Sequence, residues 1–112
     1  MLNGEVFSAG DLFELQMYTV NNGADVIRQV YIILDVFGSY WFWPSWTPFP
    51  PAIDYDLRDI RHGISQTEEI IAFTVPDGVS PVAGIVFWGG MLKPNTAILW
   101  GRVARVEFGF EF

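Results

Sequence analysis

The chain has 112 residues, of which 51% are hydrophobic and 17% aromatic, a composition that fits one folded domain and excludes a disordered chain. The formal net charge of −7 repels phosphate backbones and anionic lipid surfaces, which argues against nucleic-acid binding. There are no cysteines, so disulfides and thiolate metal sites are excluded. We expect no transmembrane helix, because no apolar run is long enough, and no signal peptide, because the first residues lack its basic and apolar regions.

The glycines predict the fold class. Eleven of them are spread along the chain, several beside Asn, Asp or Pro, and short runs rich in β-branched and aromatic residues lie between them. No segment keeps an apolar period of 3.6 residues, so helices are not expected. The sequence therefore predicts an all-β protein: an antiparallel β-sandwich of about seven to eight strands, forming a single domain over residues 1–112.

The first two predicted strands form the clearest pattern. Residues 12–20 alternate, with Phe13, Leu15 and Met17 on one face, and residues 21–23 (Asn-Asn-Gly) form a turn. Residues 27–37 follow with apolar side chains on both faces, which indicates a central strand covered on both sides. We therefore predict a hairpin of these two strands.

The second half of the chain is less regular. Residues 47–61 mix Pro, Asp and Arg, and predict a long connection with one short strand around residues 53–57. A bend or bulge is expected at Gly89-Gly90. Further strands are predicted at residues 68–75, 82–88, 96–100 and, with clear alternation, 104–112.

The stretch GSYWFWPSWTPFPP, residues 38–51, carries six aromatic residues and four prolines. Its first half predicts a strand that Pro44 ends, because proline has no N–H to donate. Alternation places Tyr40 and Phe42 on one side, with Trp46 joining them, and Trp41 and Trp43 on the other. Three interpretations remain: both sides are buried, one side is an exposed ligand platform, or one side is a protein interface. The candidate ligand-binding residues are Trp41, Trp43, Trp46, Tyr40 and Tyr55.

Metal-binding and catalytic residues are sparse. Asp54, Asp56 and Asp59 have oxygen ligands that suit calcium, but neighbouring arginines can pair with them instead, so no metal site is expected. His62 is the single histidine, and no serine lies in a nucleophile context. Glu68 and Glu69 point to opposite faces of a strand and make a poor acid–base pair. We expect no enzyme activity and no cofactor.

Two sets of residues carry a resemblance. The pattern from Phe7 to Asp35 (FSAGD-x-F-x-L, NNGA, YIILD) resembles the opening strands of immunoglobulin-like adhesion modules of bacterial and archaeal surface proteins. The combination GSYWFWPSW, FTVPDG, GIVFWGGML and VEFGF resembles an uncharacterised β-sandwich module found near the C-termini of secreted or cell-surface bacterial proteins. The resemblance implies an immunoglobulin-like fold, an extracellular setting and a non-catalytic role.

Two functions follow as expectations. The first is a binding or adhesion module whose exposed aromatic residues contact glycan or a protein surface. The alternative is a structural subunit or spacer that assembles with further copies into a surface layer or filament. Catalysis would require the fold to bring His62, or Asp54 and Asp56, beside distant acids in a pocket.

Overall fold

The computed structural model describes residues 1–50 and 52–112, which form nine β-strands and, within those ranges, no helix. The expectation of an all-β protein is therefore confirmed. The strands are β1 (Val6–Phe7), β2 (Leu12–Val20), β3 (Val26–Val36), β4 (Ser39–Phe42), β5 (Thr47–Phe49), β6 (Asp56–Ile60), β7 (Ser65–Thr74), β8 (Val82–Leu92) and β9 (Ala104–Phe110).

The strands form two sheets of unequal size. The large sheet has the order β1-β9-β8-β3-β4-β5, and β6 also pairs with β3. The small sheet consists of β2 and β7. Every pair is antiparallel except β1 with β9, which is parallel, so the predicted antiparallel arrangement holds for most of the molecule.

Strand β3 lies at the centre of the large sheet, and its side chains alternate between the two faces of that sheet. Leu34 lies opposite Phe87 of β8 and Trp41 of β4, and these side chains share one face. The neighbouring Ile33 lies opposite Trp88 and Phe42 on the other face. We call the face that carries Leu34 and is covered by the small sheet the inner face, and the opposite one the outer face.

The hydrophobic core lies between the inner face and the small sheet. Phe13 of β2 is at its centre with 1% of its surface exposed. The ring centroids of Phe7, Phe73 and Phe108 lie 4.8, 4.9 and 5.0 Å from that of Phe13. Aromatic side chains from both sheets therefore pack into one cluster that joins the two layers.

The predicted hairpin of the first two long strands is wrong. β2 pairs with β7, and β3 belongs to the large sheet. The turn between them is held by buried Asn21, whose Nδ2 donates to the carbonyls of Ala24 (2.9 Å) and Ile60 (3.0 Å) and whose Oδ1 accepts from Gly23 N (2.9 Å). These hydrogen bonds hold the turn in which the chain crosses from the small sheet to the large one. β2 and β3 therefore lie in different sheets and do not pair.

The connection predicted at residues 47–61, with one short strand around residues 53–57, instead contains, in its described residues, two short strands, the second of which begins only at Asp56. Thr47–Phe49 pairs with β4, and Asp56–Ile60 pairs with the first half of β3. Pro48 is tolerated because β5 is the edge of the sheet. The bend expected at Gly89-Gly90 is also wrong, since β8 pairs regularly with β3 through both glycines.

The first seven residues contact both sheets. Asn3 N donates to Glu14 O and Gln16 N to Met1 O, which places this segment along the edge of β2. Val6–Phe7 then pairs with the edge of β9. The segment thus closes the seam between the two sheets at one end of the molecule.

Candidate functional site

The aromatic stretch begins as strand β4 and divides its side chains between the two faces. β4 ends at Phe42, and Trp43 N adds one further bond to Ile32 O (2.9 Å) before Pro44, where pairing was expected to stop. Tyr40 and Phe42 lie on the outer face, whereas Trp41 and Trp43 lie on the inner face. The predicted alternation therefore describes the strand itself.

The three candidate tryptophans are half-buried. Trp43 and Trp46 pack against the core cluster, and the Trp46 ring lies 6.0 Å from that of Phe87. Arg58 covers the Trp43 ring at 5.6 Å. Trp46, expected beside Tyr40 and Phe42, is thus directed to the inner side by the turn at Pro44 and by its own left-handed backbone (φ 55°). Much of the tryptophan surface is used within the fold.

The outer face carries a continuous set of aromatic and apolar side chains. Its exposed members are Tyr40, Phe49 and Tyr55, with 37%, 42% and 38% of their surfaces exposed. Tyr40 lies directly opposite Phe49, and the Tyr55 ring lies 5.4 Å from that of Tyr31. We define the outer aromatic face by these members: Tyr31, Ile33, Tyr40, Phe42, Phe49, Tyr55 and Trp88. The small sheet lies on the opposite side, and no described strand packs over this face, although Phe42 within it is 9% exposed.

Polar groups fix the middle of the outer aromatic face. The indole Nε1 of Trp88 donates to Asp35 Oδ2 at 3.1 Å, and Arg105 lies over the same ring at 5.5 Å. Arg105 also pairs with Glu107 (3.2 Å). Partial burial, and secondarily the electrostatic interaction with the neighbouring Tyr55 hydroxyl, raises the pKa of Tyr31 above its usual value. The face thus offers flat rings with donors and acceptors beside them.

An apolar margin extends this face at one end. Leu57, Leu92 and Leu99 are brought into one cross-strand row by β6, β8 and the bridge that follows β8. Leu57, Leu99 and neighbouring Val103 are 58%, 51% and 49% exposed. Leu99 and Val103 lie close to Gly90, where a missing side chain leaves room for them. We call these four residues the apolar margin.

The three aspartates considered for calcium are held apart by different partners. Asp54 accepts from the backbone N–H groups of Ser45 (3.0 Å) and Tyr55 (2.9 Å). Asp56 pairs with Arg58 at 2.6 Å and Asp59 with Arg61 at 2.8 Å. Asp56 and Asp59 belong to opposite faces of β6. Among the described residues no group of three or more metal-ligating side chains comes together.

His62 and Glu68 have structural partners. The His62 ring Nδ1 donates to Gly23 O at 2.6 Å, and its backbone N–H donates to Asp25 Oδ1 at 2.7 Å. Glu68 accepts from Arg58 at 2.9 Å. His62 therefore locks a turn, and Glu68 ties the small sheet to the large one.

Sequence reasoning missed Phe49, Tyr31 and Trp88 as members of a shared surface. The signal that could have found them is the alternation in residues 31–35 and 86–90, read together with the pairing of β3 and β8. Comparison with known protein families, curated proteins and solved structures gave no match to this chain. Within the described ranges, nothing helical is long and apolar enough to cross a bilayer.

Proposed function

We propose that this chain is a non-catalytic binding or adhesion module of an extracellular or cell-surface protein, and that the outer aromatic face is its contact surface. One observation carries the proposal: Tyr40, Phe49 and Tyr55 are exposed on a sheet face over which no described strand packs, whereas the opposite face packs against the small sheet. Exposed apolar and aromatic patches on a small domain mark interaction sites. The extracellular setting follows from the resemblance of the sequence to surface-protein modules.

An immunoglobulin-like arrangement is part of the proposal. The order β9-β8-β3-β4 in one sheet and β2-β7 in the other supports it, because immunoglobulin domains also divide their strands between two packed sheets. The first seven residues, which pass from the edge of β2 to a parallel pairing with β9, support the same assignment. In such domains, one sheet face and the end loops are free to carry binding residues.

Glycan is the ligand that we propose for the exposed rings. Sugar rings present apolar C–H faces that stack on flat aromatic side chains, and hydroxyls that hydrogen-bond to neighbouring polar groups. Tyr40 and Tyr55 supply the rings, and Asp35 lies next to Tyr40 in the sheet. The role of the three tryptophans is then structural: on the inner side of β4 and the following turn, they hold this segment against the core (Trp41, Trp43 and Trp46).

Self-assembly is the second candidate, and the apolar margin favours it. Leu57, Leu99 and Val103, each exposed by about half, have little use in sugar binding, whereas the buried core of a homodimer interface is more apolar than the rest of a protein surface. A second copy packed on this margin would remove them from water. A surface layer or filament would then grow through the outer face.

Binding and self-assembly separate in one pair of experiments. Tryptophan emission of the wild type is titrated with a panel of polysaccharides, and light scattering is recorded across a protein concentration series. The binding module predicts a saturable response that Y40A and Y55A each weaken by about tenfold, since a stacked ring contributes about 1–2 kcal/mol. Tyr18→Ala is the matched control, because Tyr18 is an exposed tyrosine on the small sheet.

Each outcome decides between the candidates. A response to a polysaccharide in a protein that stays monomeric supports the glycan module. Concentration-dependent scattering that Leu99→Ser abolishes supports self-assembly. A monomer that responds to no polysaccharide contradicts both.

A further inference from the structure

An apolar cleft of about 590 Å³ lies between the two sheets. Its floor and walls come from both layers: Met17 of β2, Ile32 of β3, Phe87 and Met91 of β8, Val106 of β9, and Trp100. Ligand-binding pockets are typically 300–1,000 Å³, mostly apolar, with a few polar groups that fix orientation. Three methionines line the cleft, Met1, Met17 and Met91, and their side chains adapt to the shape of a flexible ligand.

The cleft is open because the seam between the sheets is closed at one end only. The N-terminal segment borders β2 as far as Gln16 and pairs with β9 only at its end, at Gly109 and Phe110. The N-terminal segment does not pair with the later part of β2 or the first part of β9. Tyr18 of β2 and Arg105 of β9 lie in these unpaired parts and line the cleft. The opening therefore lies between two strand edges and gives access to the inner face.

The charges around the cleft differ from those of the chain as a whole. The sequence has thirteen acidic and six basic residues, yet none of the described residues lining the cleft is acidic, and Arg102 and Arg105 are among them. Arg28 lies over the ring of Trp100, 5.0 Å from its centroid. Half of the basic residues of an acidic protein are thus at or beside this cleft.

Two of these arginines have no acidic partner among the described residues. Arg58 and Arg61 each pair with carboxylates, and Arg105 pairs with Glu107, whereas Arg28 and Arg102 form no ion pair in the described ranges. The Nη1 of Arg28 donates to its neighbour's carbonyl, Ile27 O, at 2.7 Å, but its Nε is buried and has no hydrogen-bond acceptor in those ranges. A buried guanidinium N–H without an acceptor is costly, and an anionic ligand would satisfy it.

We propose that the cleft binds a long-chain carboxylate, a fatty acid in chemical class. Its carboxylate pairs with Arg102 and Arg28 at the mouth beside Trp100, and its alkyl chain covers Met17, Phe87 and Val106 on the floor. The ligand combines the two properties that the cleft complements, an apolar body and one negative charge. The proposal does not depend on glycan binding, although Tyr31 and Trp88 of the outer aromatic face also contribute to the lining of the cleft.

The charge of the head group is tested by calorimetric titration of the whole protein with dodecanoate below its micelle concentration. R28Q and R102Q should each weaken binding about tenfold or more, because each removes a charge-assisted hydrogen bond to the carboxylate. Arg61→Gln is the control for net charge, since Arg61 is an exposed arginine of the turn after β6, and should leave the affinity unchanged. Dodecanol is the control for the apolar body, and equal affinity for the alcohol would overturn the role of the arginines.

The location of the alkyl chain is tested by filling the cleft. Ala104 is exposed and lines the cleft, so Ala104→Phe should abolish dodecanoate binding without unfolding the domain. Ala72→Phe, on an exposed position of β7 outside the cleft, is the matched control and should bind normally. Urea unfolding of each variant verifies that it is folded. Wild-type protein that takes up no dodecanoate, or folded Ala104→Phe that binds like wild type, would overturn the proposal.

Discussion

Truncation of Phe13 to alanine should be the most damaging single core substitution, because this ring connects the two sheets. It is 1% exposed and contacts rings of β1, β7 and β9 at centroid distances of 4.8–5.0 Å. Phe→Ala in a closed core costs about 3–5 kcal/mol, the sum of lost transfer free energy and the cavity left behind. Close packing from three directions limits relaxation, so we expect a value of about 4–5 kcal/mol.

The size of this loss makes it easy to measure. A chain of 112 residues has a free energy of unfolding of about 6–17 kcal/mol, so the variant should lose a quarter or more of its stability. The assay is urea unfolding followed by tryptophan emission, with the midpoint converted through the slope of the wild type. Phe73→Ala is the control, since Phe73 stacks on Phe13 but is 38% exposed, and should cost about 1–2 kcal/mol. A Phe13→Ala loss no larger than the Phe73→Ala loss would refute the placement of the core.

Three further predictions concern the link between the sheets, the acid limb of stability and a close strand contact. Arg58→Met should lower the free energy of unfolding, measured in urea, by about 1–2 kcal/mol, because it leaves the half-buried carboxylates of Asp56 and Glu68 without their partner. An unchanged free energy of unfolding would contradict the role of Arg58 in joining the sheets. Hydrogen bonds from the His62 backbone to Asp25 and from the Ser45 hydroxyl to Asp54 lower the pKa of both carboxyls from 3.8, so their stabilisation is present above that pH and lost as the pH falls further. The melting temperature should accordingly begin to fall near pH 4 and decline less in the D25N/D54N double variant, whereas identical acid limbs would contradict this assignment. Gly109→Ala places a Cβ 2.4 Å from a backbone carbonyl of β8's first residue and should lower the melting temperature by several degrees, whereas Gly90→Ala, with 3.8 Å to its nearest neighbour, should be tolerated.

The alternation of single strands could be predicted from the sequence, but their partners could not. Phe13, Leu15 and Met17 do face the core, as the period of two indicates. The same pattern is satisfied whether β2 pairs with β3 or faces it from another sheet, because both arrangements bury the same side. The deciding contacts are the hydrogen bonds of Asn21 to Ala24 and Ile60, and the second of these joins residues 39 apart in the sequence.

The candidate site was predictable only in part for a related reason. Tyr40 and Tyr55 were identified by their residue type and are exposed, but Trp43 and Trp46 were chosen for the same reason and pack against the core. Aromatic residues suit both a core and an interface, so the decision depends on which face of the sheet is covered. That face is set by the position of the small sheet, which no local pattern in residues 38–51 reveals.

Proline positions predicted the end of β4 correctly but did not reveal strand β5 at the edge of the sheet. Pro44 ends the pairing of β4, as expected, since it offers no N–H. Pro48, however, lies within a strand that resumes pairing with β4 after a short turn. A proline-rich stretch at a sheet edge is therefore compatible with both loop and strand.

The central claim, that the outer aromatic face is the contact surface, is tested most directly by amide chemical-shift mapping of the isotope-labelled protein. The spectrum is recorded during titration with the best-binding polysaccharide of the panel and, separately, across a dilution series. We predict that the shifts concentrate at Tyr40, Phe49 and Tyr55 and their neighbours on β3 and β8, while those of the small sheet stay constant. Shifts confined to β2 and β7, or no shift on the outer face in either series, would contradict the claim.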